Sequence, residues 1–324
     1  MVSAQARAGR CVCWIRNTVE DARRAWSALK GLLPDGDVTL FHSRYAMGDR
    51  LNIEGQVLAC FGKESTATTR RGKVLVGTQV LEQSLDFCVD VMLTDLAPID
   101  LMIQRAGRLQ RHARTAEGDP APDGIERREP PVLYVLEPEP VDDPPANWYS
   151  ALFSKGCFVY PDAGRLWLGA RALQRADHIV TPGDPGEIGG VRELIEAVYG
   201  EAAEPIPDAL QKASNDQLGK DYAMENQAHF NRLNLDKGYC NDSSARWGDE
   251  NRIPTRLGDE TLTIYLARDV DGELQPLSTH DFYPWEQSAV RIDVRQAERL
   301  TDEWGARFAT ALRALRSHHR LLEE

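Results

Sequence analysis

The chain has 324 residues, 42% of them hydrophobic, enough to supply a core for each of two ordinary domains. Its 50 acidic and 38 basic residues leave a formal charge of −12, which repels a polyanion at long range and confines any nucleic-acid contact to a local patch. No apolar run reaches the roughly eighteen residues of a membrane span, and the opening "MVSAQARAGR" lacks the apolar stretch of a signal peptide, so a soluble, cytoplasmic protein is expected.

Basic residues come first, Arg7, Arg10 and Arg16 all preceding the first acid, Glu20. The 6 cysteines have no framework spacing, and Cys11 and Cys13 sit in an apolar run where thiols serve as small core residues. They are expected to be reduced, with no metal site. Apolar runs and helical patterns then follow one another: "CVCWI", "VEDARRAWSALK", "VTLF", "QVLAC", "KVLVG", "DVMLTD", "IDLMIQRAG" and "VLYVL". This texture predicts an α/β fold over residues 1–136, a parallel sheet flanked by helices. Prolines crowd between Pro120 and Pro145, and "EPEPVDDPPANW" continues neither helix nor sheet, so residues 137–160 read as a Pro-rich linker.

Residues 161–324 read as a smaller, mixed α+β C-terminal domain. "VRELIEAVYG" places Val191, Leu194, Ile195, Val198 and Tyr199 on one helical face and stops at Gly200. Alternation in "TLTIYLA" and "SAVRIDVR" predicts strands. A last helix carries Leu300, Trp304, Phe308, Leu312 and Leu315 as a stripe, with acids Asp302 and Glu303 at its start. Arg313, Arg316, His318, His319 and Arg320 close it, as the helix dipole favours, so those histidines need no catalytic role.

Chemistry concentrates in "APIDLMIQRAGRLQRH", where Pro98 can start a helix and Arg105, Arg108 and Arg111 recur at three-residue intervals with no acid between Leu101 and Ala116. Guanidinium groups so spaced can converge on one anion, and a triphosphate suits them; a solvated basic helix face is the alternative. Upstream, "KVLVGTQVLEQSLD" reads as a buried strand that delivers Thr78 to a turn at its carboxyl end, where open α/β sheets bind ligands. A hydroxyl and free amides there can hold a nucleic-acid phosphate, and Asp86 can accept from ribose hydroxyls; a helix cap and a turn residue would account for the same pair. Thr18 and Asp21 have capping-box spacing and need no ligand. "FGKES" around Lys63 is not a phosphate loop, because Val57 stands where the first glycine is required. "THD" at 279–281 contains a His–Asp pair with no second ligand cluster, and reads as ordinary loop. Trp167 and Trp285 could stack on bases, but a core role is favoured.

Together "GTQVLEQSLD" and "TDLAPIDLMIQRAGRLQRH" resemble motifs V and VI of superfamily two helicases, and more closely the CRISPR-associated helicase-nuclease of type I systems. "VCWIRNTVEDA" resembles motif IV, and "HSRY", "FVYPDAGRLW", "LIEAVYG" and "TRLGDE" extend the similarity over nearly the whole chain. The resemblance implies a second RecA-like lobe followed by an accessory domain that closes over single-stranded DNA. On it, Arg108 and Arg111 would be arginine fingers reaching ATP and Mg²⁺ bound mainly by a first lobe, and Gln104 would orient the terminal phosphate or the attacking water. Arg105 would face the nucleotide, or instead anchor the helix or contact an acid of the partner lobe. Asp86 would meet the ATP ribose. Thr78, the Gly77 backbone, Arg44, Asn17 and Arg16 would contact DNA.

The first lobe, its phosphate loop and Mg²⁺-binding acids, and the family's nuclease domain have no counterpart here, so the chain is expected to begin within a longer protein. Cys88 stands where the family usually has an acid and Gln110 where it often has histidine. Implied partners are single-stranded DNA, the first lobe and an RNA-guided surveillance complex. A non-catalytic module docking on that complex or on a separate first lobe is the competing reading, and a general RNA helicase lobe a third.

Overall fold

The computed structural model describes residues 1–83, 85–230, 261–271, 273–280 and 282–293. Five short strands, β1 (Val12–Ile15), β2 (Val38–Phe41), β3 (Val74–Gly77), β4 (Val91–Asp95) and β5 (Val132–Leu136), form an all-parallel sheet in the order β2-β3-β1-β4-β5. Strands buried on both faces need apolar side chains at consecutive positions, which "VCWI" and "VLVG" supply. Successive side chains alternate between faces. Val74 and Val76 pack with Ala22, Ala25 and Leu29 of α2 (Val19–Lys30) and with Val2 and Ala6 of α1 (Val2–Arg7). Leu75 packs oppositely, with Val57 and Phe61 of α3 (Met47–Phe61). The run "QVLAC" therefore lies inside a helix, its residues Val57 and Phe61 meeting the sheet at i, i+4. Thr18 caps α2 by accepting from the Asp21 amide at 3.1 Å, as its spacing suggests.

Short helices α4 (Ala67–Arg70) and α5 (Val80–Gln83) flank β3, and α6 (Ile99–Ala106) follows β4. After β5, α7 (Trp148–Leu152), α8 (Gly156–Val159), α9 (Ala163–Ala176), α10 (Val191–Tyr199) and α11 (Asp208–Phe230) follow. Ile99 and Met102 of α6 share one core with Trp148, Tyr149, Phe153, Trp167, Leu194, Val198 and Leu210. The Pro-rich segment thus carries three core aromatics, Trp148, Tyr149 and Phe153, and the helices after it pack directly on α6. Trp167 is buried, its indole N–H donating to Val141 O at 2.9 Å, and Trp285 is buried as well. Gly200 caps α10 as its sequence requires.

The last described part forms two small antiparallel pairs. β6 (Thr261–Tyr265) pairs with β9 (Ala289–Asp293), and β7 (Ala267–Val270) with β8 (Glu273–Pro276), while α12 (Pro284–Gln287) packs against α3. A Cβ on Gly48 would stand 2.9 Å from Gln287 Oε1, so glycine in the first turn of α3 permits this approach. "TRLGDE", Asp281 and the apolar stripe from Leu300 to Leu315 lie outside the described residues. Cys11, Cys13, Cys60, Cys88 and Cys157 are free thiols; burial pushes Cys11 up to about 12, consistent with an inert core thiol. No helix among the described residues is long and apolar enough to cross a membrane.

Candidate functional site

The three arginines do not share a helix face. α6 ends at Ala106, with Gly107 as its C-cap, and the chain then turns to meet the residues before β4: Val89 N donates to Arg108 O at 3.1 Å and Gln110 N to Val89 O at 3.0 Å. Gln110 takes a positive φ of 45° to complete that turn. The expected convergence of Arg105, Arg108 and Arg111 on one anion is corrected accordingly, because each guanidinium enters a different environment.

Arg105 points inward. Its Nε donates to Glu82 Oε1 at 2.6 Å, its Nη1 to Thr94 Oγ1 at 2.6 Å and to Asp95 O at 2.8 Å, and its Nη2 to Asn17 Oδ1 at 3.2 Å. Tyr160 Oη adds a contact at 3.4 Å. A fully buried guanidinium with every nitrogen engaged has nothing to offer a nucleotide, so Arg105 ties α6 to β4 and α5 instead of contacting the cofactor. Burial raises the Glu82 carboxyl above its usual range despite Arg105, and Glu82 Oε2 has no hydrogen-bond partner among the described residues.

Arg108 and Arg111 turn toward α5 and the residues that follow it. Arg108 lies over the Phe87 ring, 5.7 Å from its centroid, and its Nη2 donates to Glu82 O at 2.6 Å. Desolvation and the neighbouring Arg111 both lower its pKa from the ordinary guanidinium value. Arg111 Nε meets Asp86 Oδ1 at 2.7 Å, with the two side chains 46% and 54% exposed. The slight burial of Asp86 opposes ionisation, but the Arg111 hydrogen bond and the charges of His112, Arg111 and Arg108 prevail and hold its carboxyl below the usual range. Gln104 is exposed on α6. The arrangement is a solvent-facing Arg111–Asp86 ion pair beside the half-buried Arg108 guanidinium.

A second group gathers at the carboxyl end of the sheet. Since Val89 precedes β4 and Asp95 closes it, this end lies about 20 Å along the strand from the arginine turn. Asp95, fully buried, accepts from Arg16 Nε at 2.9 Å and from Asn17 N at 3.0 Å. Asn17 is 2% exposed and spends its side chain internally, donating from Nδ2 to Leu96 O at 2.7 Å and to Tyr149 Oη at 2.9 Å. Asn17 therefore holds the fold and is not a DNA contact. Arg16 is oriented by Asp95 through Nε and lies 5.1 Å from the Trp14 ring centroid. Thr78 is buried at the end of β3. A Cβ on Gly77 would lie 2.6 Å from both Leu81 Cδ1 and Phe41 O, so packing alone demands glycine there. Arg44 is exposed after β2, next to His42, whose Nδ1 accepts from Arg44 N at 3.2 Å.

Glu82, Asp95, Tyr149 and Tyr160 were not anticipated as site residues. Asp95 carried a signal: an acid closing a strand buried on both faces needs a cationic partner. Among the described residues, no group of three or more His, Cys, Asp or Glu side chains is placed to hold a metal ion.

The chain is similar in sequence and fold to known proteins. Residues 8–114 match the family described as CRISPR-associated nuclease/helicase Cas3, C-terminal. The CRISPR-associated endonuclease/helicase Cas3 of Escherichia coli K12 is 41% identical over 137 residues, which is 42% of this chain and 14% of the relative. The crystal structure of T. fusca Cas3-AMPPNP aligns with a TM-score of 0.66 at 27% identity, covering 93% of this chain and 34% of that one. A chain from a CRISPR RNA-guided surveillance complex in a pre-nicking state aligns with a TM-score of 0.60 at 26% identity, covering 90% of this chain and 34% of that one. The chain thus spans about a third of the solved structures and a smaller share of the curated relative. Its parallel sheet, its helix order and these matches make the chain similar to the C-terminal part of CRISPR-associated nuclease/helicase Cas3, whose C-terminal family model residues 8–114 match.

Proposed function

We propose that this chain is the C-terminal part of an ATP-dependent translocase or helicase acting on single-stranded DNA in CRISPR interference, in which Arg108 and Arg111 serve as arginine fingers. The observation that carries the reading is the Arg111–Asp86 pair, which is solvent-facing and linked to Arg108 through the same 82–87 segment. An exposed ion pair contributes only about 0–1 kcal/mol, so a triphosphate can displace Asp86 from Arg111 at little cost. Asp86, once released, is free to accept from a ribose hydroxyl. Gln104, exposed on the preceding helix, would orient the terminal phosphate or the attacking water.

The chain contains no Gly-x₄-Gly-Lys-Ser/Thr sequence, so the phosphate cradle and Mg²⁺ acids belong to a first lobe. The chain alone is expected to hydrolyse ATP negligibly. DNA contact falls to Arg44 and to the backbone of the Gly77–Thr78 turn, and it should be weak and salt-dependent in a protein of net charge −12.

The test is DNA-stimulated ATP hydrolysis after adding a protein that carries the first lobe. Restored turnover that falls by about 10³ or more on Arg108→Ala or Arg111→Ala supports the motor. Complex formation without turnover would instead favour a docking module for the surveillance complex or the first lobe.

A further inference from the structure

A cavity of about 840 Å³ opens at the amino edge of the sheet, between the α1–β1 turn, α4 and the loops at 116–118 and 127–129. Five arginines line it, Arg10, Arg70, Arg71, Arg127 and Arg128, against three acids, Asp90, Glu117 and Glu129. Counting Asp123 and Glu126, which pair with Arg127 and Arg128, the arginines meet as many acids, but Arg71 has no ion pair among the described residues.

Arg70 gives the cavity its direction. Its side chain is 3% exposed, and Nη2 is engaged with Asp90 Oδ1 at 2.9 Å and Cys88 O at 3.2 Å. Its Nε and Nη1 have no hydrogen-bond partner among the described residues. Leaving guanidinium donors buried and unpaired is costly, so a ligand that completes them would bind with the gain of that missing interaction. The acids at hand are already shared: Asp90 also accepts from Arg128 Nη1 at 2.7 Å and from Cys11 N at 2.7 Å. Arg10 is paired with Glu129, and Arg127 with Asp123. A Cβ on Gly9 would come within 3.2 Å of Arg71 Nε, so glycine lets that guanidinium approach the α1–β1 turn.

We infer that this cavity is an anion site that takes a group bearing phosphate oxygens, bound by Arg70 and Arg71 and separate from the Arg108–Arg111 pair. Several guanidinium groups at different angles suit a tetrahedral, multiply charged oxyanion better than a planar carboxylate. A small polyphosphate and a nucleic-acid backbone present the same chemistry.

Calorimetric titration of the full chain with pyrophosphate, at matched ionic strength, tests the site. Saturable binding is expected, weakened by about tenfold or more in Arg71→Ala and in Arg70→Gln. Arg71 is exposed, so its variant keeps the test valid if Arg70→Gln fails to fold. Oligothymidylate binding lost in the same variants would identify a backbone phosphate as the occupant, and oligothymidylate binding left intact would identify a small polyphosphate. Absence of pyrophosphate binding, binding unchanged in the Arg71 variant, or binding lost only in Arg111→Ala would overturn the inference.

Discussion

Arg105 and Glu82 form an ion pair of 2.6 Å with both side chains wholly excluded from solvent. Removing one member leaves the other buried and charged, with Thr94 Oγ1 and Asp95 O also losing a donor. Arg105→Ala is expected to destabilise the chain by about 3–5 kcal/mol, read from urea unfolding. A loss within about 0.5 kcal/mol would mean that the guanidinium is not the tie between α6 and the sheet.

The neighbouring pair behaves oppositely. Arg111→Ala and Asp86→Ala should each shift stability by no more than about 1 kcal/mol, since both side chains are roughly half exposed. Unfolding midpoints of the isolated chain check this before any ATPase measurement, and separate loss of chemistry from loss of fold.

Gly77 is constrained sterically. A methyl there would meet Phe41 O, a backbone atom that cannot swing aside, as well as Leu81 Cδ1. Gly77→Ala should cost about 1–3 kcal/mol, and adding Leu81→Ala should not restore it. Rescue by the second change would show that the side chain, not the β2 backbone, sets the limit.

Two histidines set a pH dependence. Desolvation, then Arg23 and Arg44, lower the His42 pKa; desolvation likewise leads the lowering for His112. The folded state therefore binds fewer protons than the unfolded chain between the lowered values and the ordinary 6.5. Stability should rise with pH through that window and fall on acidification, by at most about 1.4 kcal/mol per pH unit for each histidine. Protonation would also remove the acceptor that His42 Nδ1 offers Arg44 N. His42→Asn should flatten the slope of unfolding free energy between pH 5 and 7, roughly the interval in which an ordinary histidine titrates; an unchanged slope would remove His42 from the account.

The sheet was legible because strands buried on both faces must be written as unbroken apolar runs, as in "VLVG" and "VMLTD". The start of α6 was equally plain at Pro98. Its end was not, because the bridge between Val89 and Leu109 is a contact across sequence that stops the helix before the second arginine. Equal spacing of Arg105, Arg108 and Arg111 suggested one shared role, whereas burial separates them, and burial depends on Glu82 and Thr94 lying where only the folded chain brings them. Asn17 misled for a related reason: a polar residue at a strand end reads as ligand-facing until a buried tyrosine from a later segment claims it. Thr18 and Asp21 were read correctly since a helix cap is local.

Tyr149 and Tyr160 reach back to the strand ends through Asn17 and Arg105, and α6 lends Ile99 and Met102 to the helices beyond. Trimming the polypeptide at Leu136 would strip that apolar ridge bare and orphan two polar anchors. Cutting there should therefore lower stability, because residues as far along as Leu210 share one apolar core with α6.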